Sequence, residues 1–286
     1  MLSSVSLARK YLSLAPASAP SYWTDPKPLE RSLMEYDDEV AGGFLKWFPD
    51  IDLTGKKIFD IGSGYGGRSV RFRELGAKSV TGLEINERMV REASEFAASK
   101  QLTDVSFVVG FGESLPFPDD AFDVVTSSDV FEHVADLGKT LDECHRVLRS
   151  GGKLYAVFPP FHHPNGAHLD SWLSCMPWAN VFFQCDAIVQ AGYELLDERR
   201  DSFRPNPLRP QDKLWSLNGA TISSVSRLIE QRGYKSDLQV APLFSEMNSK
   251  WDPWRMKYYA FAFAPLRFMP LLREMFTHRI VLRLSK

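Results

Sequence analysis

The stretch KIFDIGSGYGGRSV, residues 57–70, decides the fold of this chain because it reads as a buried strand, a glycine-rich turn and the start of a helix. Glycines at positions 62, 64 and 66 allow the backbone to turn tightly and to approach a ligand closely. The helix that begins near Gly67 offers unpaired N–H groups to the oxygen atoms of a ligand. We therefore expect a ligand-binding turn at the end of a strand of an α/β fold.

Two ligand classes fit this turn. Gly62, Gly64 and Gly67 satisfy the G-x-G-x-x-G pattern of dinucleotide-binding proteins, although so short a pattern is weak by itself. Asp60 ends the strand, where a carboxylate suits a cation, such as the ammonium group of S-adenosylmethionine, better than a pyrophosphate. Glu84 ends the next strand, where a carboxylate can accept both hydroxyls of a ribose.

The surrounding sequence alternates short apolar runs with helical periodicity from about residue 56 to residue 158. Strands are predicted in KKIFDIG, SVTGLE, VSFVVG, FDVVTSS and GKLYAVF, and helices in RSVRFRELG, ERMVREASEFAASKQ and LGKTLDECHRVLRSGG. Such alternation is typical of βαβ units that form a parallel sheet with helices on both faces. An amphipathic helix is predicted before the first strand, with an apolar face of Leu29, Leu33, Tyr36, Val40 and Phe44.

Four motifs, in order, resemble the class I S-adenosylmethionine-dependent methyltransferases over about residues 55–160. FDIGSGYGG is similar to the family's first motif, and VTGLEINERMVREA to its second strand with the ribose-binding acid. ESLPFPDDAFDVVTSSDVFEHV and CHRVLRSGGKLYAVFPP are similar to the segments that lead into the fourth and fifth strands. The resemblance implies a three-layer, Rossmann-like α/β fold whose mostly parallel sheet has an antiparallel last strand.

The resemblance also implies a set of cofactor-binding residues at the ends of the first four strands. They are Asp60, Gly62, Gly64, Gly66, Glu84, Ile85, Gly112, Glu113, Ser128 and Asp129. Within this set Glu84 would hold the ribose of S-adenosylmethionine, Ile85 would pack on the adenine, and Gly112 and Glu113 would lie beside the adenine edge. Phe111 stands where relatives often carry an aspartate, so the contact to the adenine amino group is left open between Glu113, a backbone carbonyl and stacking of Phe111.

The stretch FPPFHHPNGAH begins at Phe158 and allows three interpretations. FPPF is similar to the [DNS]PP[YF] motif of DNA amino-methyltransferases, but that motif follows the fourth strand and begins with a hydrogen-bonding residue. His162, His163, His168 and Asp170 are ligand types for a divalent metal, but adjacent histidines in an extended segment point apart, which disfavours a metal site. In the favoured interpretation the segment is a wall of the substrate site, and His168 or His163 removes a proton from the acceptor.

Glu132 and His133 are further catalytic candidates because they follow the fourth strand. They are interpreted as two side chains that act together as a general base, or as substrate contacts. The alternative is that they cap the next helix. For each histidine of FPPFHHPNGAH the alternative is likewise a hydrogen-bonded structural role.

The organisation outside the shared core is predicted more coarsely. Residues 1–54 are expected to be a helical segment that covers the pocket, and residues 55–286 a methyltransferase domain with lid insertions at about 159–218 and 244–276. The aromatic-rich segments SWLSCMPWANVFFQC and WDPWRMKYYAFAF indicate the lids, since apolar pockets are lined in this way. The alternative is a small satellite core.

The later part of the chain also contains regular patterns. ATISSVSRLIEQRGY predicts a helix, a strand is expected near residues 236–243, and HRIVLRLS predicts the last strand. The stretch ERRDSFRPNPLRPQDK supplies Arg199, Arg200, Arg204 and Arg209, either for a carboxylate or phosphate or as a solvated loop.

Composition limits the partners of this chain. It has 286 residues, 24% of them charged, and a formal net charge of -2, so a dominant nucleic-acid surface is not expected. No apolar run is long enough to span a bilayer. Cys144, Cys175 and Cys185 lack C-x-x-C spacing, which favours a reducing compartment, and we expect a cytoplasmic protein.

The sequence thus predicts an enzyme that transfers a methyl group from S-adenosylmethionine to a small, partly apolar molecule, at oxygen rather than nitrogen. A noncatalytic cofactor-binding or partner-binding protein on the same scaffold and an NAD-dependent oxidoreductase are the alternatives. The identity of the acceptor and the oligomeric state are left open.

Overall fold

The computed structural model describes most of the chain. The described residues are 3–14, 29–164, 166, 176–198, 217–242 and 272–286. Residues of the chain group into two compact units, the larger from 26–158, 223–239 and 280–286 and the smaller from 1–25, 159–222 and 240–279.

The described residues form a seven-stranded sheet with the order β3-β2-β1-β4-β5-β7-β6. Its strands are β1 Lys57–Ile61, β2 Ser79–Glu84, β3 Val105–Val109, β4 Phe122–Ser128, β5 Leu148–Phe158, β6 Lys235–Pro242 and β7 Thr277–Ser285. The pairs β1–β2, β1–β4, β2–β3 and β4–β5 are parallel, whereas β7 pairs antiparallel with β5. This confirms the predicted mostly parallel sheet with an antiparallel last strand.

Helices connect the parallel strands. The described helices are α1 Ser4–Leu12, α2 Glu30–Val40, α3 Gly67–Glu74, α4 Glu87–Ser99, α5 Leu137–Val147, α6 Ala179–Phe182, α7 Cys185–Glu198 and α8 Ile222–Glu230, with short 3-10 turns at Leu45–Trp47 and Arg273–Phe276. Crossovers between parallel strands are right-handed. Helices α3 and α4, which run towards β3, therefore lie on one face of the sheet, and α5, which runs towards β5, lies on the other.

The sheet reverses its winding between β1 and β4. The chain leaves β1 towards β2 on one side and returns to β4 on the other side of β1. The register places Asp60 of β1 beside Gly82 of β2 and Thr126 of β4. In open α/β sheets the ligand crevice lies outside the carboxyl ends of the strands at such a reversal, so the ends of β1 and β4 mark the candidate site.

The central strands are buried because helices cover both faces of the sheet, which is why they read as continuous apolar runs. In β1, every residue from Ile58 to Ile61 is buried. The surrounding core of the larger unit contains Phe44, Phe48, Val70, Phe72, Val80, Phe96 and Val124. Each such side chain stabilises the fold by about 1.5–3 kcal/mol relative to full exposure. Asp60 is the one charged residue within this buried run of β1.

Helix α2 buries only part of the face that its apolar residues predict. Tyr36 of that face packs against the core of the larger unit. Leu33 and Val40 are 47% and 54% exposed, whereas Ser32 and Glu39 are buried. That part of the amphipathic prediction was wrong. The physical reason is that α2 packs against α3 and the glycine turn, where backbone N–H groups need acceptors, so its polar side chains face inwards.

The smaller unit has a satellite core of its own, built from α1, α6 and α7. It contains Ala8, Leu12, Ala179, Ile188, Ala191, Leu195 and Leu196. The sequence predicted irregular structure here, but the 14-residue helix α7 lies within that segment. The aromatic rings of Tyr11, Phe182 and Phe183 pack together at 5.4–5.7 Å between ring centroids, which supports the satellite-core interpretation for residues 176–185.

Strand β5 ends at Phe158, so FPPF follows β5 and not β4, as expected. The β5 strand begins at Leu148, earlier than predicted, and the segment expected to end α5 is part of it, with an irregularity in its pairing with β4. Within the described ranges, none of the helices has the length and apolar character that a membrane crossing requires.

Candidate cofactor site

The glycine turn has the tight backbone conformation that its glycines predict. Gly62, Gly64 and Gly66 have φ angles of 66°, 55° and 82°, a region that other residues rarely adopt. A Cβ atom at Gly62 would lie 2.1 Å from a methyl group of Val130, which follows β4. The turn therefore requires glycine both for its backbone angles and for the close approach of the neighbouring loop.

Asp60 anchors the turn from inside the protein. Its carboxylate is fully buried and accepts hydrogen bonds from Arg68 Nε at 3.0 Å, Ser69 Oγ at 2.7 Å and Thr126 Oγ1 at 2.9 Å. Arg68 also donates to the carbonyl of Gly62 at 3.1 Å. The predicted contact between Asp60 and a ligand cation remains a prediction, but the carboxylate already has Arg68 as its cationic partner.

Glu84 faces the glycine turn from the end of β2. Its Oε2 accepts from the backbone N–H of Gly64 at 3.2 Å, and its Oε1 accepts from that of Asn86 at 3.0 Å. Each carboxylate oxygen has two acceptor positions, so both can accept a further hydrogen bond from a ribose hydroxyl. The geometry is thus compatible with the ribose-binding role implied by the family resemblance.

Glu35, on α2, lies on the same turn and was missed by the sequence reasoning. Its Oε1 accepts from the backbone N–H of Tyr65 at 3.1 Å and its Oε2 from that of Gly67 at 3.2 Å. The sequence carries no signal for this contact, because Glu35 lies outside the glycine motif and among several other acidic residues of α2.

Burial raises the pKa of Glu35 from 4.5 to about 7, although the hydrogen bonds from Tyr65 and Gly67 and the charge of Arg68 act in the opposite direction. Asp60 adds a smaller upward contribution. Burial would lower the pKa of Arg68, but the carboxylates of Asp60, Glu39 and Glu35 raise it above its ordinary value. Three carboxylates therefore share one buried guanidinium beside the turn.

The shifted pKa of Glu35 predicts that the protein loses stability as the pH rises from 5 to 8. The folded state holds the Glu35 proton more tightly than the unfolded state, so this stabilisation is complete below about pH 4.5 and is lost through about pH 7. It amounts to at most about 3–4 kcal/mol, since one pKa unit corresponds to about 1.4 kcal/mol. Urea unfolding of the wild type and of Glu35→Gln across this range measures it.

The Glu35→Gln variant should show a flatter dependence of the free energy of unfolding on pH. A residual slope of the same sign is expected because burial also raises the pKa of Glu39. Identical slopes in the two proteins would show that Glu35 does not titrate in this range.

The expected adenine side of the site combines exposed apolar surface with a fixed carboxylate. Ile85 and Phe111 are 36% and 53% exposed, which leaves surface for an aromatic ring. A Cβ at Gly112 would lie 3.0 Å from a methyl group of Thr140. Glu113 accepts from the backbone N–H groups of Ala135 and Asp136, so its carboxylate also holds the loop before α5.

The end of β4 carries a strained backbone. Asp129 has a φ of 55°, and its N–H donates to the carbonyl of Val157 at 2.9 Å. A non-glycine residue in this region costs of order 1–3 kcal/mol and is concentrated at functional sites. Ser128 Oγ lies 3.4 Å from a carboxylate oxygen of Asp129, so these two predicted pocket residues contact each other.

Glu132 and His133 lie directly beyond this strained residue. Glu132 is buried, and its Oε1 lies 3.7 Å from His133 Nε2. The imidazole is about 29% exposed, whereas the carboxylate side chain is about 5% exposed. The structure thus brings together a buried carboxylate and a more accessible imidazole at the carboxyl end of β4.

Two histidines of FPPFHHPNGAH, His162 and His163, have partners within the smaller unit. His162 Nδ1 lies 2.8 Å from a carboxylate oxygen of Glu274, and His163 Nε2 lies 3.2 Å from His278 Nδ1. These contacts favour the structural alternative for His163. His168, the other candidate base of this segment, lies outside the described residues, as do Asp170 and the four arginines of residues 199–209.

No three His, Cys, Asp or Glu side chains among the placed residues come together in a group that could hold a metal ion. The acceptor positions left on Glu84 and the exposed apolar side chains of Ile85 and Phe111 together fit a nucleoside-containing cofactor.

Comparison with known proteins identifies the family. Residues 59–156 match the family described as a methyltransferase domain. The chain is 31% identical over 187 residues to the ubiquinone/menaquinone biosynthesis C-methyltransferase UbiE of Cereibacter sphaeroides, covering 61% of this chain and 70% of that relative. The chain belongs to the class I S-adenosylmethionine-dependent methyltransferases. The cofactor of this family is S-adenosylmethionine, as the resemblance implied.

Other methyltransferases share part of the sequence or the fold. The chain is 32% identical over 135 residues to 27-O-demethylrifamycin SV methyltransferase of Amycolatopsis mediterranei, covering 46% of this chain and 47% of that relative. It spans less than half the length of other curated relatives as well. An S-adenosylmethionine-dependent methyltransferase from Mesorhizobium loti has the same fold, with a TM-score of 0.53, 16% identity and coverage of 84% of this chain and 96% of that one.

Proposed function

We propose that the protein transfers the methyl group of S-adenosylmethionine to an oxygen atom of a small, partly apolar molecule. Membership of the methyltransferase family and the geometry of the glycine turn support the cofactor. The observation that carries the choice of oxygen is the Glu132–His133 pair at the end of β4, since a hydroxyl must lose a proton during the transfer.

In methyl transfer the protein contributes mainly the positions of the two reactants and the electrostatic environment of the site. The cofactor supplies a methyl group that is already electrophilic because it is bound to a sulfonium. The protein must hold the acceptor in line at near-attack distance and exclude water. Glu84 and the glycine turn would hold the cofactor, with Ile85 and Phe111 offering apolar surface to its adenine ring.

His133 would act as the general base. An imidazole accepts a proton near neutral pH, and the carboxylate of Glu132 at 3.7 Å stabilises the imidazolium that forms. The ring is the more exposed member of the pair, which suits a group that must reach the acceptor. The buried carboxylate then acts through the ring, as an orienting group and not as a group that touches substrate.

The partly apolar character of the acceptor rests on the aromatic-rich segments SWLSCMPWANVFFQC and WDPWRMKYYAFAF. Apolar and aromatic side chains line most small-molecule pockets. Residues 176–185 of the first segment pack in or against the satellite core, which weakens this support, although Phe182 there remains 57% exposed. The second segment lies outside the described residues.

Replacement of His133 by alanine is expected to lower kcat by about 10²–10⁴-fold, the usual contribution of a general base. The affinity for S-adenosylhomocysteine should be unchanged, because Glu84 and the glycine turn are the proposed contacts to the cofactor. The acceptor would first be identified by incubating the protein with methyl-labelled cofactor and an extract of the source organism, with mass spectrometry of the methylated product.

His145→Ala is the matched control for this experiment, since that ring packs on Tyr234 from α5. It should retain turnover. Normal turnover in His133→Ala together with its loss in His168→Ala would transfer the role of base to FPPFHHPNGAH. Transfer to nitrogen or carbon in the isolated product would overturn the oxygen assignment directly.

A further inference from the structure

Helix α2 is packed onto the glycine turn more closely than ordinary side chains allow. A Cβ atom at Gly67 would lie 2.3 Å from the backbone N of Tyr36 and 2.5 Å from the Cβ of Glu35. A Cβ at Gly64 would lie 2.6 Å from Glu35 Oε1. Both glycines therefore make room for α2, and Gly67 has an ordinary φ that does not itself require glycine.

The carboxylate of Glu35 takes the place that an anionic ligand would need. The first N–H groups of a helix have no partner within the helix and attract phosphate. The N–H of Gly67, the first residue of α3, and the N–H of Tyr65, which precedes the N-cap residue, both donate to Glu35. The N-cap, Gly66, has no side chain that could do so. A pyrophosphate could reach these donors only by displacing a carboxylate of the protein itself.

The charges around Glu35 reinforce this arrangement. On α2 itself, Glu39 is buried and accepts from the backbone N–H of Phe44 at 3.0 Å. Asp60 of β1 is also buried, and Arg68 of α3 is the cation that faces these carboxylates. Tyr65 faces Glu35 from the turn. Arg31, one turn earlier on α2, is a second buried cation beside Tyr65. With Glu35 ionised, the three carboxylates still outnumber the two guanidinium groups, and the excess negative charge repels phosphate.

We propose that Glu35 determines the cofactor specificity of the turn, by occupying the two backbone donors that a phosphate would bind and by fixing the turn for a cofactor that has no phosphate. Glu35 is thus a positioning residue that acts through the backbone of Tyr65 and Gly67. The G-x-G-x-x-G pattern alone is compatible with a dinucleotide, and Glu35 is the feature of the structure that selects against it.

The test measures binding of S-adenosylhomocysteine and of inorganic pyrophosphate by calorimetry at pH 8, where Glu35 is mostly ionised. The wild type should bind S-adenosylhomocysteine and show no measurable binding of millimolar pyrophosphate. In Glu35→Ala the donors are vacated, so pyrophosphate binding should appear and the affinity for S-adenosylhomocysteine should fall about tenfold or more, as expected for the loss of hydrogen bonds to a charged group. Loss of a merely structural contact would not create a pyrophosphate site.

Asp37→Ala is the matched control because it removes an exposed carboxylate from the same helix. It should bind as the wild type does. Glu35→Gln keeps the size of the side chain but can accept from only one of the two N–H groups without opposing the other. Glu35→Gln should weaken S-adenosylhomocysteine binding and gain no pyrophosphate site. If Glu35→Ala does not fold, the cofactor affinity of Glu35→Gln tests whether Glu35 positions the turn for the cofactor. Unchanged cofactor affinity in Glu35→Gln, or a folded Glu35→Ala that binds no pyrophosphate, would overturn the proposal.

Discussion

Replacement of Arg68 by alanine is expected to destabilise the folded protein by about 3–5 kcal/mol, the usual cost of removing one partner from a buried ion pair. The Asp60 carboxylate is fully buried, and its contact with the Arg68 guanidinium measures 3.0 Å. Without Arg68 that charge would keep only the hydroxyl donors of Ser69 and Thr126. Urea unfolding of the variant, monitored by tryptophan fluorescence and circular dichroism, measures the loss.

Arg88→Ala is a suitable control because Arg88 is about 51% exposed and pairs with Glu92 one helical turn away. Its replacement should cost less than about 1 kcal/mol, as is usual for surface pairs. The double variant Asp60→Ala/Arg68→Ala should be more stable than the sum of the single losses predicts, since it leaves no buried charge unpaired. Equal effects of Arg68→Ala and Arg88→Ala would refute the assignment of Arg68 as the buried partner of Asp60.

Replacement of Glu84 by alanine is expected to weaken binding of S-adenosylhomocysteine by roughly 100-fold, since hydrogen bonds to a charged group contribute about 1.5–3 kcal/mol each. The variant removes the proposed acceptor of both ribose hydroxyls. It also leaves the N–H groups of Gly64 and Asn86 without the carboxylate that holds them. Titration calorimetry gives the dissociation constant.

Glu95→Ala, which removes an exposed acid from α4, is the control for this measurement and should leave the dissociation constant unchanged. Glu84→Gln should lie between the wild type and Glu84→Ala, because an amide oxygen accepts hydrogen bonds more weakly than a carboxylate. An affinity of Glu84→Ala within about twofold of the wild type would exclude a ribose contact at this position.

The sheet and the turn were predictable because their sequence signals are local. Asp60, the three glycines of the turn and Glu84 lie at strand ends that apolar runs define. The structure places Asp60 and the turn beside the reversal between β1 and β4, and Glu84 at the end of the neighbouring strand β2. The pairing of HRIVLRLS as an antiparallel last strand came from the family resemblance. Apolar runs and strand–turn–helix order can be recognised in the sequence without knowledge of tertiary contacts.

The features that were missed depend on contacts distant in the sequence. Glu35 meets the turn from a helix 30 residues away, and no local pattern reveals which face of α2 will be buried. The predicted apolar face included Leu33 and Val40, which are exposed, because periodicity assumes that burial favours apolar groups. At this helix the unsatisfied N–H groups of α3 and the charge of Arg68 decide the packing instead. Helix α7 was missed because aromatic and proline-rich neighbours obscured its periodicity.

The assignment of the glycine turn as an S-adenosylmethionine site is tested most directly by titrating the wild-type protein with S-adenosylhomocysteine and, separately, with NAD, followed by calorimetry at pH 8. We expect a single site per chain for S-adenosylhomocysteine, an affinity that falls in Glu84→Ala, and no heat of binding for NAD. Absence of binding by S-adenosylhomocysteine, or binding of NAD that Glu84→Ala abolishes, would contradict the assignment of the glycine turn as an S-adenosylmethionine site.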